Sequence, residues 1–376
     1  MNRSRLHFYW KDRRFAERFR TGVSLHSHTL FSRERLDLIP RYAMRIPILR
    51  EAVTHRLRRY RERTGQEVDF GRAWWTPPLP PRQAHDLERT QIEQRLDLEA
   101  LVSLTDHDSI EAGLQLSVVD PAAPLSVEWT VPFGASFFHL GLHNLPRDSA
   151  AGIMARLSEL TAQPKPEAVR EMLGELDARH DLLIVFNHPL WDEKGIGLEG
   201  HRRLFEEFMG WFGRYFHAFE LNGWRTWAEN RAVMRAAAVH GKPVISGGDR
   251  HGLEPNANVN LTNAGCFEEF VEEIRAGISD VLFLPQYRES RTLRTIHTIG
   301  DILRDNARHE FGWVRWTDRI FYRCNDGVAR NLTELWRNGK EPAVVLSFVK
   351  LMALLDNHQV RSALRVALPD REEVAL

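Results

Sequence analysis

Seven short hydrophobic runs in this chain each lead into a metal-ligand residue or another polar group, and that repeated ending constrains the fold more than any other feature. Val23-Ser24-Leu25 leads into His26 and His28, Leu101–Leu104 into Asp106, His107 and Asp108, and Leu125–Val127 into Glu128. Phe137-Phe138 precedes His139, Leu182–Phe186 precedes His188, Phe219 precedes Glu220 and Asn222, and Val244–Ser246 precedes Asp249 and His251. Parallel strands joined by helical crossovers present their C-terminal ends on one face, where side chains from distant segments converge. One histidine at a strand end means little. Six of them with two carboxylates, on successive ends, predict a site.

Helical patterns at Ala150–Leu160, Glu167–His180, Glu199–Phe212 and Thr226–His240 alternate with the later runs, which argues for an α/β fold with a parallel sheet. Residues 1–20 are basic and aromatic and are expected to cover the outside or one end. Residues 35–98 form a long excursion between the first two ligand-bearing strands. It contains an arginine-rich helix at 41–63, the rigid stretch Trp74-Trp75-Thr76-Pro77-Pro78-Leu79-Pro80-Pro81, and a second helix from about Pro81 to Leu98. Such an insertion suits a lid or a substrate-selecting element. Beyond Asn263 the ligand pattern stops, and Glu268–Ala276, Leu293–Arg308, Val328–Arg337 and Ala343–Leu355 read as helices.

Composition narrows the function classes. The 376 residues allow a large core, and 51 basic residues balance 51 acidic ones, so no global field draws nucleic acid or an anionic membrane. Two cysteines provide neither a disulfide framework nor a Cys-x-x-Cys zinc site, which fits a reducing, cytoplasmic setting. No apolar run approaches the ~20 residues that span a bilayer, so no membrane partner is expected. Imidazole with carboxylate suits zinc, manganese or iron.

On a strand, residues i and i+2 face the same way, so His26 and His28 can grip one ion. The stretch Leu25-His26-Ser27-His28-Thr29-Leu30-Phe31-Ser32 resembles the first motif of the PHP (polymerase and histidinol phosphatase) superfamily. Thr105-Asp106-His107-Asp108, Asn187-His188-Pro189 and Ser246-Gly247-Gly248-Asp249-Arg250-His251 resemble its later motifs in order, with Glu128 and His139 at its intervening positions. The resemblance covers roughly residues 22–285. It implies a distorted (β/α)7 TIM-like barrel at 1–285, with the insertion at 35–98 and a mostly helical extension at 286–376. It also implies two or three divalent ions (manganese, zinc or iron) and hydrolysis of a phosphate ester by metal-activated water. The ligands carried over are His26, His28, His107, Glu128, His139, His188, Asp249 and His251, with Asp106 orienting its neighbours from behind. A carboxylate such as Glu128 can bridge two ions ~3.5–4 Å apart.

One position departs from the family. Where an aspartate ligand usually follows Thr-x-x-Ser, this chain has Arg33 and then Glu34. An unpaired arginine facing a dication is unfavourable, so Glu34 is expected to take the ligand role. Arg250 is either a phosphate contact or a structural salt bridge, and His143 either a phosphate contact or a satisfied neighbour of His139. Arg225 and Lys194 are further candidates for substrate binding. The expected substrate is a small phosphorylated metabolite or nucleotide. The alternatives are a phosphodiesterase or exonuclease on short nucleic acids, for which the arginine-rich helix argues, and a non-catalytic metal-stabilised binding protein. Cys324–Arg330 has the Cys-x5-Arg spacing of cysteine-dependent phosphatases, but Asp326 would repel phosphate, and the pattern arises easily by chance. The oligomeric state is not readable from the chain.

Overall fold

The computed structural model describes residues 3–36, 47–336 and 340–367. Its mixed α/β architecture holds three sheets. The first orders as β1 (Arg3–Phe8), β12 (Ile278–Phe283), β11 (Asn258–Thr262), β2 (Thr21–Ser24) and β5 (Glu99–Val102). The second orders as β10 (Val244–Gly247), β9 (Ala218–Asn222), β8 (Leu183–Asn187), β7 (Ser136–His143) and β6 (Val127–Phe133). A small third sheet joins β14 (Ala329–Asn331), β13 (Ile320–Arg323), β4 (Ala73–Trp75) and β3 (Glu34–Arg35).

No closed barrel is evident among the described residues, so the distorted TIM-like barrel that the resemblance implies is not confirmed, and the strands are not uniformly parallel. β6 and β7 make an antiparallel hairpin through Gly134, at φ +56°, and β7 is antiparallel to β8 as well. β11 is antiparallel to both its neighbours. Among the described residues, the β-bridges between the two five-stranded sheets are isolated ones, Ser27 with Arg250 and His107 with Glu128, and the sheets also pack on each other through a shared apolar cluster. Glu128 therefore sits near the start of β6, and His139 in the middle of β7, rather than at the ends of parallel strands.

Period-two alternation explains why a polar site sits at one end of an apolar core. Leu183 and Val185 of β8, Ala218 of β9, Ile245 of β10 and Val23 of β2 pack into one cluster with Phe267, Phe270 and Ile274 of the helix Phe267–Arg275. Two or more residues further along the same strands and on the same faces come Asn187, Glu220 and Asn222. The opposite faces, Phe186 and Phe219 among them, pack on Phe205, Phe208 and Phe212 of the helix Leu198–Phe212 and on Phe216. Phe186 is fully buried there, and truncating such a ring to alanine costs roughly 3–5 kcal/mol.

Two further expectations change, and the arginine-rich helix is found over its described part. The first twenty residues do not merely cover the outside: Arg3–Phe8 is a strand, parallel to Ile278–Phe283, with Arg5 and His7 on Asp280 at 2.6 and 2.8 Å. The arginine-rich helix runs Pro47–Thr64, and its predicted start at 41–46 lies outside the described residues. Its arginines are exposed and partly paired locally, Arg58 with Glu62 at 3.7 Å and Arg61 with Glu67 at 2.9 Å, as a solvated face would be. The helix expected at Val328–Arg337 is instead the second strand of a hairpin, Ala329–Asn331, followed by one turn at Leu332–Leu335, and residue 337 lies outside the described residues. Asp326-Gly327 makes the turn, with Gly327 at φ +81°, and Arg330 pairs with Asp326 at 2.6 Å. The Cys-x5-Arg stretch is therefore a β-turn with its arginine engaged, not a phosphate loop. The residue 286–376 region is consequently not purely helical, and its hairpin completes a sheet begun by the insertion. No single described helix is long and apolar enough to cross a membrane.

Candidate metal centre

All nine predicted ligands meet at one end of the two large sheets. Among the described residues they form four overlapping groups: His28, Glu34, His107 and His251; His26, Glu128 and His188; His26, His28 and Asp249; and His107, Glu128 and His139. Glu128 lies at the centre. Its Oε2 is 3.0 Å from His26 Nε2 and 3.3 Å from both His28 Nε2 and His107 Nδ1, while its Oε1 is 3.1 Å from His188 Nε2 and 3.5 Å from His139 Nδ1. Asp249 Oδ1 lies 3.5 Å from His28 Nε2 and 3.8 Å from His26 Nε2.

The donor set fits divalent ions. His26 Nε2, His28 Nε2 and Glu128 Oε2 are buried and have no hydrogen-bond partner, although they face one another. Buried polar atoms are rarely left in that state, and three converging orphans are what a set of metal ligands presents. The outer nitrogen of His26 is held in the manner of a metal-bound imidazole: its Nδ1 meets Glu220 Oε1 at 2.5 Å. Glu220 Oε2 also accepts the His188 backbone N–H at 2.7 Å, so one buried carboxylate positions two ligands. Asn187 donates to Glu128 Oε1 at 3.0 Å, and Asn222 to Asp249 Oδ2 at 3.2 Å.

The Arg33 and Glu34 departure resolves by alternation on β3. Glu34 turns inward, 3.2 Å from His251 Nε2 and 3.5 Å from His107 Nε2, and is buried. Arg33 turns outward and lies over Trp74, 5.6 Å from the ring centre. Ser32 pins the arrangement: its hydroxyl donates to Glu34 at 2.5 Å and accepts from the His107 backbone at 3.1 Å. Three ligand residues, His26, His188 and Asp249, have positive φ values of 62°, 28° and 55°, a backbone state that non-glycine residues seldom adopt. Such strain persists only where surrounding contacts over-determine it, and it clusters at functional sites.

Burial opposes charge on every group here, and neighbours decide the outcome. Glu128, Glu34 and Asp249 lie well below the usual carboxylate range because facing imidazoles outweigh burial. His28 is pushed down to about 3 by burial and by His251, while Glu128 and Glu220 overcome the burial of His26 and raise it. The same carboxylates raise His107 and His251, so without an ion these imidazoles and His26 hold protons that metal binding would release.

The remaining candidates separate. Asp106 is fully buried and accepts from Thr29 N and Oγ1 at 2.5 and 2.6 Å, fixing the turn behind His28; burial lifts its carboxyl to about 6. Arg250 faces away from the ligands. Its guanidinium donates to the carbonyls of His28 and Gly252 and sits 3.0 Å from Glu88, so it takes the salt-bridge role and not the phosphate role. His143 likewise is the satisfied neighbour: it lies beneath the cluster, its Nδ1 2.8 Å from Ser103 Oγ, with Asn187 between it and the ligands, and burial pushes it down to about 3. Arg225 does reach the site. It stacks 3.8 Å over Trp191, and its Nη2 is 3.6 Å from Asp249 Oδ2. Lys194 lies at the rim over Phe137, at 5.3 Å, and Arg35 shares that ring at 5.7 Å.

Two groups were not foreseen. Glu193 reaches within 4.0 Å of His139 from the loop after β8. Glu88, on the helix Pro81–Gln91, is fully buried and gathers Ser24, Ser27, Asn256 and Arg250 beneath the first ligand strand. A glutamate on an exposed-looking helix carries no sequence signal for such a role, whereas Glu193 follows a ligand motif by five residues and could have been suspected.

No known family pattern matches the chain, and no curated protein matches it. Among solved structures, PsfC from Pseudomonas syringae PB-5123 aligns with 13% identity and a TM-score of 0.38, over 72% of this chain and 93% of that one. A candidate metal-dependent phosphoesterase from Bifidobacterium adolescentis aligns with 14% identity and a TM-score of 0.33, over 54% and 92%. An amidohydrolase from Chromobacterium violaceum, with bound sulfate and no metal, aligns with 16% identity and a TM-score of 0.35, over 55% and 93%. The case for the site rests on its own donors.

Proposed function

We propose that this chain is a metal-dependent phosphoesterase of the PHP type, acting as a phosphomonoesterase on a small phosphorylated metabolite or nucleotide. The observation that carries the proposal is the convergence of buried, hydrogen-bond-orphaned His26 Nε2, His28 Nε2 and Glu128 Oε2 inside a ring of nine nitrogen and oxygen donors. Two or three divalent ions would be held by these overlapping groups, two of which include Glu128. Divalent ions held there would supply a nucleophile at neutral pH and charge stabilisation at phosphorus. The two isolated bridges between the sheets support reading β2, β5–β10 as a distorted seven-stranded ring with the site at one end.

The protein's own groups supply the rest. Trp191 holds the Arg225 guanidinium flat, which leaves its edge available to pair with a phosphoryl oxygen in a bidentate manner. Lys194 and Arg35 add positive charge at the rim and attract a dianionic ester. Asp106 and Glu220 hold ligand-bearing turns in place without touching substrate.

Metal analysis of the purified chain, followed by assay of an aryl phosphate and a dinucleotide with added manganese or zinc, tests the proposal. Bound transition metal and faster cleavage of the monoester are expected. A chain that binds no transition metal and gains no activity from it is not an enzyme of this kind. A strong preference for the dinucleotide would make it a diesterase.

A further inference from the structure

A cleft of about 630 Å³ lies beside the predicted ligand His107, walled by a sheet that the inserted segment and the C-terminal hairpin share. Its size falls in the range of small-molecule sites, about 300–1,000 Å³. Trp74, Trp313 and Phe321 form one wall. Trp74 and Phe321 are nearly parallel, 15° apart with centroids at 5.5 Å, and Trp313 stands at 66° to Phe321 at 5.4 Å. All three rings are only partly buried, so they are not spent on a core. Arg33, displaced outward by the inward turn of Glu34, lies over the Trp74 ring between this wall and the ligands. Asp108, Ser109 and Glu111 line the cleft as well.

We propose that this cleft receives the leaving group of the ester, and that the leaving group is a nucleoside, so that the substrate is a nucleoside monophosphate. The proposal rests on the phosphoesterase reading and specifies its substrate. Phe321 stacks on Trp74, Arg33 and Arg323 lie over the Trp74 ring at 5.6 and 6.0 Å, and His309 stacks on Trp313. A planar base would therefore enter by displacing an arginine from Trp74, and such stacking is independent of base identity. Carboxylates and a hydroxyl beside them match the N–H groups on the edge of a base and would repel further phosphates, which disfavours a polynucleotide or a polyphosphate. Arg33 then neutralises charge between the base and the phosphate. This also accounts for the insertion and the C-terminal hairpin sharing one sheet: each contributes half of the wall.

The test compares adenosine 5′-monophosphate with ribose 5-phosphate, which differs by lacking the base, in the manganese-loaded protein. Quenching of tryptophan fluorescence by adenosine is measured separately in the metal-free protein. The expected results are a kcat/KM about ten- to a hundredfold higher for the nucleotide and a saturable quench. Trp74→Ala and, independently, Trp313→Leu should collapse the ratio of the two kcat/KM values toward one, while Trp74→Phe keeps most of it. Equal hydrolysis of both phosphates without adenosine binding overturns the nucleoside subsite and leaves the phosphoesterase standing. Adenosine binding with hydrolysis of neither phosphate overturns the phosphoesterase and supports the base-binding wall.

Discussion

Two clusters of histidine and carboxylate in this molecule use the same residue types for opposite ends. In the nine-residue centre, His26 gives one ring nitrogen to Glu220 and leaves the other orphaned toward Glu128. In the second cluster, His297 of the helix Arg291–Ile302 has both ring nitrogens engaged, Nδ1 with Asp356 at 2.5 Å and Nε2 with Glu254 at 3.0 Å, and Asp301 is 3.7 Å away. The first arrangement calls for a cation between the groups. The second is already complete with a proton on each nitrogen: burial alone would lower His297, but the hydrogen bonds it donates to Glu254 and Asp356 raise it to about 9. The presence of histidines beside acids therefore does not define a metal site. Buried ring nitrogens without a hydrogen bond that converge on an equally orphaned carboxylate oxygen set the first cluster apart.

The largest test of this contrast is Glu128→Gln. It should reduce activity to background and remove at least one ion per chain in elemental analysis, whereas His297→Asn should leave bound metal unchanged. Glu34→Ala should lower both metal content and turnover substantially and Arg33→Ala should keep full metal content; if Glu34→Ala leaves both unchanged, Glu34 is not a ligand. Glu220→Gln removes the carboxylate behind His26 and His188, and a roughly 10–100-fold loss of metal affinity is expected in chelator competition.

The second cluster should respond to pH instead. A histidine raised from 6.5 to about 9 stabilises the fold fully below pH 6.5, and that contribution disappears as pH rises through 9. It amounts to roughly 3 kcal/mol at most. Melting temperature of the metal-free chain should fall between pH 7 and 9.5, and His297→Asn should flatten that decline. An unchanged slope in the variant would remove His297 as its cause. The smallest effect belongs to Arg304, which is exposed beside Asp356 at 3.2 Å: Arg304→Ala should cost less than about 1 kcal/mol in denaturant unfolding.

Much of the site was legible because its ligands recur at the ends of hydrophobic runs, and side-chain alternation carries each onto a common face. Glu34 is the clearest case, since the cost of an unpaired arginine facing a dication is enough to choose it over Arg33. The hairpin of β6 and β7 was harder, because Glu128 and His139 also follow apolar residues but their chain direction is set by Gly134, a local turn among larger patterns. The N-terminal strand hid behind its charge: in Arg3–Phe8 the alternation of Arg5 and His7 with Leu6 and Phe8 was present, yet arginine density suggested a surface segment. Asp326-Gly327 is a hairpin signal of the ordinary kind, and it was overshadowed by the helical look of the residues after it. Arg250 and His143 could not be assigned from sequence, because which way a residue beside a ligand points depends on partners such as Glu88 and Ser103 from distant segments.

The parallel pairing of Arg3–Phe8 with Ile278–Phe283 has a consequence for biosynthesis. Arg3–Phe8 leaves the ribosome some 270 residues before its partner, a wait of roughly 14–55 s at ordinary elongation rates. His26 and His28 wait nearly as long for Asp249 and His251. The nine-residue donor set is therefore complete only once Asp249 and His251 have been made, so closure of the candidate cage is a late step in the folding of this chain.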